Sequence, residues 1–206
     1  EPTENLATST FKGTRIINGH SIEIRKKGTL EFIISHRFGT LNSGGYNLWG
    51  LDQSNIRLAL EYAPTDRFMF GAGRSSFEKT YDGFIKYKFM RQQTGKRTVP
   101  FSMVYFTSAT IKTLKRFDEY EASFFDKMAI THQVLIARKV TPALSLQLTP
   151  SYSFYELIEA NETSNEVIAL GLGGRLKVTN RVTINMEYWP QLQDKGPQYY
   201  NAFAVG

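Results

Sequence analysis

Strict alternation of bulky apolar side chains with small or charged ones constrains this chain more than any other feature. The clearest case is NIRLALEYAPTDRFMFGAGR (55–74), in which Leu58 and Leu60 alternate with Arg57 and Glu61. A period of two places the two sets on opposite faces of a β-strand. The proline, threonine and aspartate between the two alternating arms favour a turn. This stretch therefore predicts a β-hairpin with one large apolar face and one small or charged face.

The same alternation recurs along most of the 206 residues, and it predicts an antiparallel meander without a helix of useful length. Strands are expected at 29–38, 55–63, 67–74, 80–91, 98–108, 128–140, 143–154, 166–178, 181–190 and 199–206. The connections between them include three tight turns (64–66, 141–142 and 179–180) and four long loops (39–54, 109–127, 155–165 and 191–198). Alternate connections of a meander lie at opposite ends, so the tight turns and the long loops should gather at different ends.

The alternation leaves open which face points outward. A soluble barrel buries its bulky apolar face, whereas a membrane barrel turns that face to lipid and keeps small and polar residues inside. The loop asymmetry and the aromatic residues near strand ends, such as Tyr62, Phe68 and Tyr188, favour the membrane barrel. We therefore predict an all-β fold, an antiparallel up-and-down transmembrane β-barrel. A soluble or periplasmic β-barrel that binds an apolar ligand is the alternative.

Two parts of the chain are expected to differ in organisation. Residues 1–28 are polar or are broken at Gly13, Gly19 and Gly28, which predicts an N-terminal lead-in segment. We expect this segment on the periplasmic side together with the three tight turns, because membrane barrels of this kind keep short periplasmic turns and long external loops. Residues 29–206 should form the barrel, with about 10 strands in this chain. The ending NAFAVG stops within a strand and lacks a terminal aromatic residue, so we expect 12 strands when the barrel is complete.

Charged residues on the small face mark the candidate site. They are Arg57, Glu61, Asp82, Lys86 and Lys88. Pairing outward from the tight turn places Glu61 opposite Met69, and the register chosen for the next strand places Met69 opposite Lys86. We expect these residues to form a charge network in the lumen of the barrel, which would be largely plugged by side chains.

Arg57 and Asp82 form the most specific pair within this network. The same counting places Arg57 opposite Gly73 and Gly73 opposite Asp82, so a glycine would separate the two charges. Side chains two strands apart are about 10 Å from each other, which long side chains can bridge when no side chain intervenes.

Other kinds of site find little support in the sequence. The chain has no Cys, and His20, His36 and His132 do not share a metal-ligand spacing. Ser35 and His36 are adjacent in a strand and point to opposite faces, so they cannot form a catalytic dyad. Lys and Arg are spread along the strands, which argues against a nucleic-acid surface. We predict no catalytic residues, no metal, no cofactor and no nucleic-acid partner.

Four stretches resemble a known family. They are FKGTRIINGHSIE (11–23), ISHRFG (34–39), GLDQSNIRLALEYAPTDRFMFGAGRS (50–75) and KTYDGFIKYKF (79–89). The chain from Phe11 to Lys177 is similar to an uncharacterised β-barrel family of Bacteroidota, known as a domain of unknown function. The resemblance implies a protein of the bacterial outer membrane and supplies no catalytic residues.

The expected function is accordingly non-enzymatic. We expect an outer-membrane β-barrel, surrounded by outer-membrane lipid, that acts as a scaffold or subunit of a larger envelope protein complex or as a narrow pore. An outer-membrane enzyme that modifies lipid is the further alternative. Its catalytic serine, histidine and orienting residue would have to converge on the outer face.

Overall fold

A computed structural model describes residues 5–39, 43–95, 97–114, 125, 127–155, 165–193 and 201–206. The strands in these ranges are β1 (Asn5–Leu6), β2 (Thr29–Phe38), β3 (Ser54–Thr65), β4 (Phe68–Ser75), β5 (Tyr81–Met90), β6 (Gln93–Thr94), β7 (Ser102–Ile111), β8 (Met128–Lys139), β9 (Leu144–Tyr155), β10 (Glu166–Lys177), β11 (Thr183–Trp189) and β12 (Ala202–Val205). Short 3-10 segments lie at Gly45–Gly50 and Phe77–Lys79. Much of the expected loops 109–127, 155–165 and 191–198, and the start of the expected strand 199–206, lie outside the described residues.

Ten of these strands form one antiparallel sheet in the order β12-β11-β10-β9-β8-β7-β5-β4-β3-β2. The order follows the chain, which confirms the predicted all-β, up-and-down arrangement. Within the described residues no ladder joins β2 to β12, so the sheet is not closed. The two short strands β1 and β6 pair with each other outside the large sheet and were not predicted.

The strand expected at 98–108 begins and ends later than the sequence indicated. It runs from Ser102 to Ile111, and its last residues pair with Tyr81 on one side and Met128 on the other. Pro100 has no N–H group to donate to a ladder, which explains why regular pairing starts only after it.

A threonine caps each of the three tight turns in the same way. The Oγ1 atom of Thr65 accepts hydrogen bonds from the amides of Arg67 (3.3 Å) and Phe68 (3.0 Å). Thr141 and Thr179 accept bonds from the amides two and three residues later, at 2.9–3.2 Å. Because threonine side chains can replace a backbone partner in a turn, the recurring threonine sets these hairpins.

The apolar face of the sheet points outward. Leu58 and Leu60 are 48% and 54% exposed, whereas Ala59 and Glu61 between them are 3% and 1% exposed. Buried polar side chains on the inner face continue on β9 and β11, where Gln147 and Glu187 are examples. An apolar exterior around a partly polar interior is the pattern of a membrane barrel and the opposite of a soluble one.

Candidate functional site: the filled interior of the barrel

The strand pairing confirms one half of the register predicted around these charges and contradicts the other. Gly73 lies opposite Asp82 and Met69 opposite Lys86, as predicted. The predictions that Arg57 faces Gly73 and that Glu61 faces Met69 are wrong. Arg57 lies opposite Ser75 and Glu61 opposite Gly71. The hairpin ends at the pair Thr65–Phe68, later than the turn expected at 64–66, and an irregularity between Tyr62 and Thr65 displaces the ladder by one residue. Together these two effects place the observed register two residues away from the predicted one.

Arg57 nevertheless reaches Asp82 across a glycine. Its Nε donates to Oδ1 of Asp82 at 2.7 Å, and its Nη2 donates to the other carboxylate oxygen. A Cβ atom at Gly73 would lie 2.6 Å from Arg57 Nη2. The absent side chain at position 73 therefore provides the path for this bidentate ion pair.

The interior is occupied by the N-terminal part of the chain, residues 7–25, which we call the plug segment. Its residues 15–20 turn back on themselves, with an antiparallel bridge between Arg15 and His20 and a hydrogen bond from the Ile16 amide to the Gly19 carbonyl (2.9 Å). Ile17 and Asn18, between the two bonded residues, form the tip. A segment expected only to lead into the barrel thus packs against its inner face.

Glu187 of β11 holds the tip of the plug segment. Its carboxylate accepts hydrogen bonds from the amides of Ile17 (2.8 Å), Asn18 (3.1 Å) and Gly19 (3.1 and 3.2 Å). Glu187 is only 3% exposed. Because a buried carboxylate must be compensated, these three amides replace the cation that an isolated charge would require.

Lys86 and Gln147 hold residues 20–23, which follow the tip. The ammonium group of Lys86 donates to the carbonyls of Ser21 and Glu23, both at 2.7 Å. The Gln147 side chain accepts from the Ile22 amide (3.0 Å) and donates to the His20 carbonyl (2.8 Å). Backbone N–H and C=O groups of the plug segment are thus hydrogen-bonded to side chains of β5 and β9, as buried peptide groups require.

Glu61 pairs with the plug segment and not with a neighbouring strand. Its carboxylate accepts from Arg15 Nη2 at 2.7 Å and from the Thr14 hydroxyl at 3.4 Å. Arg15 also lies over the ring of Phe84, 5.3 Å from its centroid. Lys88 is buried on the same face, and its ammonium group has no hydrogen bond or ion pair with the described residues. The five predicted charges therefore share one face, but only Arg57 and Asp82 pair with each other.

His20 lies in an apolar and positively charged surrounding. Its ring centroid is 4.6 Å from that of Phe84 and 4.2 Å from that of Phe106. Among the described residues its Nδ1 atom has no hydrogen-bond partner. Burial, and then the charges of Lys86 and Arg15, hold the pKa of His20 well below its ordinary value. The imidazole is therefore neutral in the docked plug segment.

The plug segment enters and leaves at the tight-turn end of the sheet. Lys139 donates to the Thr8 carbonyl (2.9 Å) and Arg175 to the Ser9 carbonyl (3.2 Å), and both lie close to tight turns. At the other end of the segment, the Lys27 amide donates to Asp66 Oδ1 (2.9 Å) in the first tight turn. This arrangement agrees with the prediction that the N-terminal segment and the tight turns share one side. Which side of the membrane that is stays a prediction.

Sequence reasoning missed Glu187, Gln147 and the insertion of the plug segment. Two signals were present: polar residues on the inner faces of otherwise apolar strands, and the turn-favouring dipeptide Asn18-Gly19 within FKGTRIINGHSIE. Within the described ranges no three His, Asp or Glu side chains form a group that could hold a metal ion. Among the described residues, no helix is long and apolar enough to span a membrane.

Comparison with known proteins assigns the family. Residues 11–206 match the family model described as "membrane bound beta barrel domain (DUF5777)", a domain of unknown function. No curated protein matches the chain. No solved structure matches it either. The family match spans the plug segment from Phe11 onward and all ten strands of the large sheet. The chain therefore belongs to the DUF5777 family of membrane-bound β-barrel domains.

Proposed function

We propose that this protein is a non-enzymatic β-barrel of the bacterial outer membrane that serves as a scaffold or subunit of an envelope complex, with its bore closed by the plug segment. The observation that carries the proposal is the number of buried side chains committed to the plug segment. Lys86, Gln147, Glu61 and Glu187 are each less than 6% exposed, and each bonds the segment. A wide channel would leave such groups in lumenal water.

The contacts of the plug segment also favour a closed bore over an open pore. The segment bonds β3, β5, β9 and β11, so it crosses the interior between distant parts of the sheet. A Cβ atom at Gly173 of β10 would lie 2.4 Å from Ile16 Cδ1, so backbone and plug segment approach closely there. A narrow pore is then a minor state that requires displacement of the segment.

Planar-bilayer recording of the full-length protein tests the closed bore. The wild type should show little or no conductance. Replacing both plug-binding carboxylates, in Glu61→Gln/Glu187→Gln, should produce openings because the segment loses its charged acceptors. The matched control is Glu78→Gln, whose ion pair with Lys112 (2.9 Å) lies at the long-loop end. A large, stable conductance in the wild type would overturn the proposal.

Membership of an envelope complex is tested separately. The protein should be recovered from outer-membrane fractions at native expression level as part of an assembly larger than the chain itself. If gel filtration in mild detergent recovered the protein only as a monomer, the scaffold role would be excluded.

A further inference from the structure

An apolar groove crosses the outer face of the sheet from β8 to β12. Its volume is about 570 Å³, within the range of roughly 300–1,000 Å³ typical of small-molecule sites. Leu148, Leu172 and Tyr188 form one wall, in a single cross-strand row that ends at Phe203. These side chains belong to the outward face, so the groove opens toward the lipid.

The floor of the groove is a glycine. Gly174 lies directly between Leu146 and Met186 in the neighbouring row, and both of those side chains are about half exposed. A Cβ atom built at Gly174 would meet only Leu146 Cδ2, at 3.6 Å. The missing side chain thus opens a depression between two bulky residues without disturbing the ladder.

An arginine stands at the end of the same row. Arg138 pairs across the strands with Leu146, is exposed, and lies one residue before the end of β8 at the tight-turn end. Its guanidinium has no hydrogen bond or ion pair with the described residues. Arg74 on β4, which also points outward, lies 5.5 Å from the ring centroid of Tyr81. A cation on a lipid-facing surface is destabilising unless its charged head reaches the water or the phosphates of the membrane interface.

We propose that this groove binds an anionic phospholipid of the leaflet at the tight-turn end, with an acyl chain along Gly174 and the phosphate on Arg138. The apolar walls match an acyl chain, and the free guanidinium matches a phosphate, which it can bind with two parallel N–H donors. Arg138 lies near the end of its strand, where phosphates rather than acyl chains are found. The groove is outside the bore, so the proposal that it binds lipid does not depend on the plug segment.

Native mass spectrometry of the full-length protein with added phosphatidylglycerol tests the proposal. The wild type should retain one phosphatidylglycerol molecule in preference to phosphatidylcholine at equal concentration. Arg138→Gln should weaken retention about tenfold or more, because it removes the charged donor. Gly174→Phe should abolish retention by filling the groove.

Two matched variants control for nonspecific effects. Arg74→Gln removes another outward arginine, and Gly83→Phe adds a ring at another outward glycine, where a Cβ atom would meet only the Gly71 carbonyl at 3.8 Å. Both should retain phosphatidylglycerol as the wild type does. Heat-modifiable gel mobility establishes that every variant is folded.

Three results would overturn the proposal. In the first, Arg138→Gln and Gly174→Phe retain phosphatidylglycerol as well as the wild type. In the second, the two control variants lose it equally. In the third, the wild type carries no lipid but forms a dimer that Gly174→Phe dissociates, which would assign the groove to a second copy of the chain.

Discussion

Glu187→Gln is the substitution that most sharply tests how the plug segment is held. The wild-type carboxylate accepts from the amides of Ile17, Asn18 and Gly19 at 2.8–3.2 Å and is almost fully buried. Glutamine keeps one acceptor oxygen but turns an NH₂ group toward backbone donors. The variant therefore loses one or two hydrogen bonds to a charged group, each contributing about 1.5–3 kcal/mol. We expect docking of the segment to weaken by roughly 2–4 kcal/mol.

A cysteine reporter measures this loss. The chain has no Cys, and Ser21 in the plug segment is fully buried, so Ser21→Cys provides a single thiol that reacts only when the segment opens. Since about 1.4 kcal/mol corresponds to a factor of ten, Glu187→Gln should raise the maleimide labelling rate roughly 30- to 1,000-fold.

The control for this experiment is Glu78→Gln in the same reporter background. Its ion pair with Lys112 is at the surface, where such pairs contribute about 0–1 kcal/mol, so the rate should change by less than about fivefold. Equal labelling in the Glu187→Gln and wild-type reporters would refute the proposed role of the carboxylate.

Three further predictions follow from the faces, the burial and the topology. Leu135→Ala, at a fully buried inner position, should lower the free energy of unfolding in lipid vesicles by about 2–5 kcal/mol. Leu58→Ala and Leu146→Ala should lower it clearly less, because half-exposed, lipid-facing sites leave no cavity. Equal losses in all three variants would contradict the outward apolar face. The pKa of His20 is lower in the docked plug segment than in the displaced one, so the displaced segment binds a proton first as the pH falls. Docking should therefore be strongest above about pH 6.5 and weaken as the pH falls toward the pKa of the docked segment. Bilayer openings should increase over that range in the wild type and not in His20→Phe, since protonation would add a charge beside Lys86, Arg15 and Arg57. A cysteine at Ser43 should be labelled on intact cells and one at Thr65 should not, and the reverse pattern would invert the proposed topology.

Most of the sheet could be predicted because each strand carries its own period-two pattern. The expected strand 29–38 has the observed bounds, and the ends of β9 and β10 lie within one residue of the prediction. The register of β3 on β4 was not predictable in this way. It depends on where the hairpin turns, at Thr65 and Phe68, and on a one-residue irregularity between Tyr62 and Thr65, and local alternation reveals neither of them.

The candidate site was only partly predictable for a different physical reason. The positions of Arg57, Glu61, Asp82, Lys86 and Lys88 on the inner face followed from alternation. The partners of Glu61 and Lys86 did not, because they belong to a segment without a period, more than 40 residues away in sequence. Pairing rules between strands carry no information about a chain segment that crosses the interior.

The position of the plug segment inside the barrel is the central claim, and a disulfide tests it most directly. The end of the Ile16 side chain lies 2.4 Å from the position of a Cβ atom at Gly173, so cysteines at 16 and 173 should be within bonding reach. In purified membranes, Ile16→Cys/Gly173→Cys should form an intramolecular disulfide on mild oxidation, seen as a mobility shift that reductant reverses. Ile16→Cys/Ala72→Cys, with its second thiol on the outer face, should not. Two free, readily labelled thiols in the first variant would contradict a segment held within the barrel.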